Sequence, residues 1–277
     1  MNEVRVSVVI PVYNLAPFLE ECVSSVCAQT VQPAEILIVD NGSTDGSQGI
    51  ARSLQQERPG LIRVLHQPKR GAPAARNLGL EQATAPWIQF LDGDDLLLPE
   101  KIAHQLACIS ESVAVVAGPA VERDQDGAES LVPLAESVHE GLFYGGGRLG
   151  FTSSNLWSRE ALRSIGGWNE ALRSSQEYEL MFRLVRQGYR ICLSTGALTV
   201  RRVHAGQISN TPYGPRLYNY LKLRHLMFFY LRDQGQLTAG QAREFVEHYM
   251  LRYGQLRRFA PRLAIRFRRD QLREAMA

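Results

Sequence analysis

Residues 90–100 read FLDGDDLLLPE, so Asp92, Asp94 and Asp95 crowd into four positions directly after one apolar run and directly before another. Carboxylates placed so closely repel, raise one another's pKa, and are costly unless a cation or hydrogen-bond donors offset them. Asp-Gly pairs are also ordinary turn formers. The position at the end of a buried run argues instead for a hard divalent ion carrying a diphosphate, because Mg2+ commonly takes one or two carboxylates and completes its shell with phosphate oxygens. Two further polar clusters, PVYN at 11–14 and DNGSTDGS at 40–47, also follow apolar runs.

The elements that must position these clusters alternate. VRVSVVIPVY, EILIVD, LIRVLHQ and WIQFLD have strand composition, and APFLEECVSSVCAQT, DGSQGIARSLQQE and APAARNLGLEQAT keep a helical period between them. That order predicts an α/β fold with a mostly parallel sheet wrapped by helices, whose ligands bind beyond the carboxyl ends of the strands. The first strand is not followed by G-x-G-x-x-G, no G-x-x-x-x-G-K-[ST] occurs, and EF-hand spacing fails. Beyond residue 111 the pattern loosens. SREALRSIGGWNEAL and EYELMFRLVRQGY read as helices, and RICLS and ALTVRRVH as strands. From about residue 214 the chain reads as helical, with a second helix opening on Thr238 and closing at Gly254.

A chain of 277 residues, 45% hydrophobic, forms one large domain or a domain with an annex. Cys22, Cys27, Cys108 and Cys192 lack zinc-ligand spacing and read as reduced thiols. No apolar run approaches the roughly 20 residues that span a bilayer, and VRVSVVIPVYN reads as a first strand and not as a leader, so a cytoplasmic protein is expected. The net charge of +3 hides an asymmetry: residues 201–277 hold 15 Lys+Arg against 5 Asp+Glu, and residues 1–200 hold 16 against 23. Within 255–277, Leu256, Phe259, Leu263 and Phe267 keep helical spacing among arginines, and Pro261 suits the first turn of a new helix. Such a segment either lies on an anionic membrane surface or packs on the main domain. No nucleic-acid recognition motif accompanies the basic charge.

VSVVIPVYN, EILIVDNGSTDGS, GAPAARNLGL and WIQFLDGDD, followed by GGWNEALRSSQEYELMFRL, resemble the family 2 glycosyltransferases in order and spacing, over about residues 4–205. The resemblance implies a GT-A fold over residues 1–213, with 1–110 as the nucleotide-sugar-binding half and 111–213 as the acceptor-side half. Residues 214–277 then form a basic helical C-terminal region. It also implies an inverting transfer of a sugar from a nucleotide diphosphate, a UDP-sugar by preference, to a glycan or lipid-linked glycan acceptor in cell-surface polysaccharide synthesis. The cofactor implied is Mn2+ or Mg2+.

Carried over position by position, Pro11, Tyr13 and Asn14 match residues near the base and Asp40 the carboxylate that reads it. Arg76 falls on the Ala-Arg-Asn motif, to steady base or phosphate or to stand as a helix-surface arginine. Asn77 and Gly79 shape the helix. Asp92-Gly93-Asp94 matches the Asp-x-Asp motif, with Asp92 toward ribose or metal, Asp94 as direct metal ligand and Asp95 second in line. His204 either completes the metal or diphosphate site or is a structural hydrogen-bonder. Trp168 is an acceptor-stacking face or a core tryptophan, and Gln176 belongs to the acceptor side. The family's Glu-Asp pair is Gln176-Glu177 here, which makes Glu177 the expected base and Glu179 a control facing elsewhere. Asn41 stands where the family often has a second aspartate. Two rival readings are a sugar-nucleotide-binding module without catalysis and a nucleotidyltransferase.

Overall fold

The computed structural model describes residues 5–204 and 213–276. The four expected strands are β1 (Val6–Val12), β2 (Glu35–Asp40), β3 (Ile62–His66) and β4 (Trp87–Phe90), and the helices between them are α1 (Leu19–Cys27), α2 (Ser47–Glu57) and α3 (Ala72–Gln82). β1 is buried at every position, as a parallel strand covered on both faces must be. Its alternate residues feed two cores. Val9 joins Leu37, Val39, Ile88 and Phe90 on one side, and Val8 and Ile10 join Ile36, Ile38 and Leu91 on the other. Gly79 brings α3 close to β1, since a Cβ there would collide with Val9 Cγ1.

After β5 (Leu96–Leu97), α4 (Lys101–Leu106), β6 (Val113–Ala117), β7 (Ala120–Arg123), β8 (Glu129–Val132), α5 (Val138–Tyr144), β9 (Leu156–Ser158), α6 (Arg159–Ser164), α7 (Gln176–Arg186), β10 (Arg190–Leu193) and β11 (Thr199–Arg202) complete two sheets. The seven-stranded sheet has the order β10-β6-β9-β4-β1-β2-β3, and the small sheet β5-β11-β7-β8. β9 runs antiparallel to both β4 and β6, while the remaining pairs of the large sheet are parallel. The aspartate loop therefore leaves β4 in one sheet and enters β5 in the other. Pairing of β5 with β11 returns residues after 202 to that loop.

Three helices follow, α8 (Tyr213–Asp233), α9 (Ala239–Phe259) and α10 (Pro261–Met276). Thr238 caps α9 through a reciprocal bond with Gln241. The expected stop at Gly254 is overturned: α9 continues to Phe259, and Pro261 opens α10. Glycine inside a helix costs only about 1 kcal/mol relative to alanine, which Leu256, buried with Leu221 and Phe267, offsets. Nor is this region a detached annex, because Leu223 and Met227 of α8 belong to the main core. Side chains from 269 onward lie outside the described residues. Among the described residues no helix is long and apolar enough to cross a membrane, and all four cysteines are free.

Candidate functional site

At the end of β2, Asp40 is buried and surrounded by donors. Its Oδ1 accepts from the Ser43 N–H at 3.0 Å, and its Oδ2 from the Gly42 N–H at 3.2 Å and Gln48 Nε2 at 3.0 Å. His66 Nδ1 stands 3.4 Å from Oδ2. Burial pushes this carboxyl up, but the bonds from Ser43, Gly42 and His66 outweigh it and leave the pKa below the ordinary range. Asn41 is a staple. Its amide donates to the carbonyls of Gln67 and Lys69, and its Oδ1 accepts from the Gly71 N–H. An aspartate could not make both donations, so the departure at 41 has a local structural reason.

The β1 loop is laced to the same turn. Asn14, in the left-handed region at φ 55°, donates its N–H to Ser43 Oγ and accepts the Thr44 N–H. Asparagine tolerates that conformation better than most side chains. Tyr13 is 43% exposed, with the Arg70 guanidinium 4.5 Å from its ring centroid. Pro11 differs from the expectation: it is buried within β1, because the strand is covered on both faces. It presents no surface, and Tyr13 is the exposed residue of the pair.

The three aspartates do not share one environment. Asp92 Oδ1 accepts from Arg76 Nη2 at 2.6 Å. Asp94 Oδ2 lies 3.0 Å from His204 Nε2, and the His204 ring rests 4.7 Å from that of Phe18. Asp95, 3% exposed, accepts from Ser153 Oγ at 2.6 Å and from the Arg202 N–H at 3.2 Å. Burial, then repulsion from Asp92, raises the pKa of Asp94 despite the His204 bond. Burial, then Asp94 and Asp92, raises that of Asp95 well above the ordinary range. Gly93 sits under the β1 loop, where a Cβ would meet Leu15 Cδ1 at 2.9 Å and press that side-chain tip aside.

The donor set fits a divalent cation. Asp94 and His204 face each other, Asp92 keeps one oxygen outside the Arg76 bond, and oxygen with imidazole nitrogen suits first-row ions such as Mn2+. Among the described residues no three His, Cys, Asp or Glu side chains converge into a ready-made cage. A bound phosphate oxygen or water is then needed to complete the coordination, as Mg2+ sites commonly require.

Arg76 joins this loop to α7. Besides Asp92, it donates Nη1 to Gln176 Oε1 at 3.0 Å, and its guanidinium lies 4.8 Å from the Trp168 ring centroid. It is a buried bridge and not a helix-surface arginine. Gln176 is held at both ends of its amide: the oxygen accepts from Arg76 and the nitrogen donates to the Leu172 carbonyl, which pins the start of α7. Of the two places expected for Trp168, the structure shows the core. The residue is 2% exposed within the core, packed against Phe90 and Trp157 and covered by Arg76, so no ring face is open for sugar stacking. Asn77 clamps Trp168 through both its N–H and its carbonyl.

Glu177, in the first turn of α7, is partly buried. Burial and Asp92 push its pKa up, while Arg76 and Arg224 act against them. Glu179 points elsewhere, onto Arg183, which ties down the carbonyls of Ile165 and Gly167. Two sets of residues escaped the sequence reading. Ser153 accepts the Asp92 N–H and donates to Asp95; its signal was the polar run Thr152 to Asn155 directly ahead of a strand, all of it buried. Asn219 and Arg224 reach the start of α7 from α8, with nothing in the sequence to set them apart from that helix's other polar residues, Lys222, His225 and Arg232.

A profile described as glycosyl transferase family 2 matches residues 7–172. An uncharacterized glycosyltransferase of Rickettsia conorii is 36% identical over 145 residues, 52% of this chain and 23% of its own length; the chain thus spans less than a quarter of that relative. An uncharacterized glycosyltransferase of Bacillus subtilis, EpsJ, is 25% identical over 265 residues, 90% of this chain and 75% of that protein. Among solved structures, TarS of S. aureus in complex with UDP-GlcNAc matches with a TM-score of 0.65 at 20% identity, over 90% of this chain and 72% of that one. The mannosyltransferase PcManGT of Pyrobaculum calidifontis, in complex with GDP-Man and Mn2+, matches with a TM-score of 0.64 at 20% identity, over 95% and 73%. At that identity the likeness shows the fold, which is the GT-A type expected.

Proposed function

The chain belongs to glycosyl transferase family 2, and on that premise we propose that it is an inverting, metal-dependent glycosyltransferase moving a sugar from a nucleotide diphosphate to a glycan or lipid-linked acceptor. The observation that carries this reading is the Arg76 bridge. One guanidinium donates to Asp92 and to Gln176, so the carboxylates suited to a cation and the candidate base are held side by side.

Asp94, with His204 and Asp92, would hold Mn2+ or Mg2+, which supplies charge neutralisation for the departing diphosphate. Tyr13 offers its ring to the base of the donor. Asp40 reads the base by exchanging one of its present donors; His66, with a side chain 64% exposed, is the one most easily displaced. Glu177 takes the proton from the acceptor hydroxyl. Burial raises its pKa, which makes the carboxylate a stronger base than a free one, and Arg76 and Arg224 oppose that rise. Release of nucleotide diphosphate from a panel of UDP- and GDP-sugars tests this assignment. Glu177→Gln is expected to lower the rate by about 100-fold or more, and Glu179→Gln to change it little. Equal rates in Glu177→Gln and the parent would remove the base.

The reaction is proposed to take place at the cytoplasmic face of a membrane, in cell-surface polysaccharide synthesis. Leu226 and Phe229 of α8 and Val246 and Met250 of α9 are exposed at helical spacings, Arg232 lies over the Phe229 ring, and the arginines of 257–268 follow in α9 and α10. Apolar side chains among cations suit an anionic bilayer. Flotation with phosphatidylglycerol vesicles is expected to recover the protein, and failure to float would reject this location.

A further inference from the structure

Three points fix the short segment that carries Glu177, and two of them come from the C-terminal helices. Gln176 is held by Arg76 of α3. Ser174, just before α7, receives a hydrogen bond from Asn219 Nδ2 of α8 at 3.1 Å. Tyr178, just after Glu177, carries the Arg224 guanidinium of α8 4.8 Å from its ring centroid. The α8 contacts therefore bracket Glu177 on both sides, at 174 and 178. The turn they bracket is unusual, because Ser175 occupies the left-handed region at φ 57° and needs support to stay there.

Arg224 is 1% exposed. Its Nε donates to the Phe143 carbonyl at 2.7 Å, and its guanidinium lies between the rings of Tyr178 and Tyr220. Gly145 permits this placement, since a Cβ there would collide with Arg224 Nη2. The Tyr178 hydroxyl in turn accepts the Leu149 N–H at 3.4 Å. One cation thus joins α8, the end of α5 and the base helix, and Tyr178 carries the link on to the glycine-rich segment 145–150. No carboxylate is paired with it among the described contacts, and a buried charge without a partner is costly to stability alone.

We propose that Asn219 and Arg224 are positioning residues for Glu177, which makes the C-terminal helical region part of the catalytic site. The proposal rests on the reading of Glu177 as the base. The charged and titratable groups facing Glu177 are Arg76 from α3, Asp92 from the β4 loop and Arg224 from α8, with Tyr178 adjacent on its own helix.

The experiment compares Arg224→Gln, Arg224→Lys and Asn219→Ala with the parent chain. Thermal unfolding with UDP or GDP plus Mn2+ is expected to give the same ligand-induced shift in all four, since the donor half is untouched. Release of nucleotide diphosphate from the sugar donor that binds is expected to fall by about 100-fold in Arg224→Gln, the scale of a misplaced catalytic group. Donor KM should stay within twofold, and the acid limb of the pH profile should move up. Arg224→Lys should return the limb toward the parent position, and Asn219→Ala should lower kcat several-fold without moving it. Folded Arg224→Gln protein with parental kcat and pH profile would overturn the proposal, as would a loss confined to KM. If the parent shows no nucleotide-dependent shift, the glycosyltransferase reading itself fails. The carboxyl resonance of Glu177, assigned by its loss in Glu177→Gln, still tests the joint in the ligand-free protein. It should titrate higher in Arg224→Gln than in the parent, and an unchanged titration would reject the role of Arg224.

Discussion

Asp40 closes β2 and Asp94 lies in the loop after β4, at the carboxyl ends of two strands that both pair in parallel with β1, yet their surroundings are opposites. Asp40 collects backbone N–H groups, an amide and an imidazole, and its pKa is lowered. Among the described residues, Asp94 has the His204 ring as its one side-chain partner, beside two other carboxylates, and its pKa is raised. The β2 turn is complete as it stands. The β4 loop has Arg76 on Asp92 and Arg202 on the Asp94 carbonyl, yet the carboxyls of Asp94 and Asp95 are still pushed up, a repulsion that an incoming cation would offset. Identical side chains at matching places in a fold thus carry different roles, and the count of donors around each tells them apart.

The largest effect that sharpens this contrast is on turnover. Asp94→Asn is expected to lower nucleotide diphosphate release from the donor by about 1,000-fold, several kcal/mol of charge stabilisation at the leaving group. The same change should leave the ligand-free protein as stable as the parent or more so, because it removes a buried repulsion. Urea unfolding checks that part. Asp40→Asn should do the reverse to stability, lowering it by about 2 kcal/mol through weakened bonds from Gly42 and Ser43, whether or not Mn2+ is present. A metal-dependent loss in Asp40→Asn would break the comparison.

The smallest effect is in pH dependence. Asp94 and Asp95 bind protons more tightly folded than unfolded, so the stability they contribute is present below the ordinary carboxylate range and lost as pH rises through their raised values. Asp40 and Glu35 have lowered values, so theirs is present above that range and lost as pH falls through them. Mn2+ must displace protons from the first group only. Its stabilising shift in thermal unfolding is therefore expected to be larger at pH 7 than at pH 5, and a shift independent of pH would count against Asp94 as its ligand.

The half of the fold built from β1 to β4 was legible because its strands are short runs rich in β-branched and aromatic residues that alternate with segments of helical length. β5 and β9 were not, being two and three residues long and set by pairing with distant strands. The aspartates, Asp40 and Glu177 were legible as types at recognisable spacings. The choice between core and acceptor face for Trp168 was not legible, because a position in a motif does not say what covers it. Arg76 lies over the Trp168 ring and donates to the Gln176 oxygen, contacts made across 92 and 100 residues of sequence. Asn219 and Arg224 were invisible because their partners lie at 174 and 143, far away in sequence and joined only when α8 docks.

The most direct test of the central claim is calorimetric titration of UDP and GDP into the parent chain and Asp94→Asn, each with and without Mn2+. The account predicts that one nucleotide binds the parent at least about tenfold more tightly with Mn2+, a coupling of 1.4 kcal/mol, and that Asp94→Asn abolishes this difference. Binding of equal strength with and without metal, unchanged in Asp94→Asn, would contradict it.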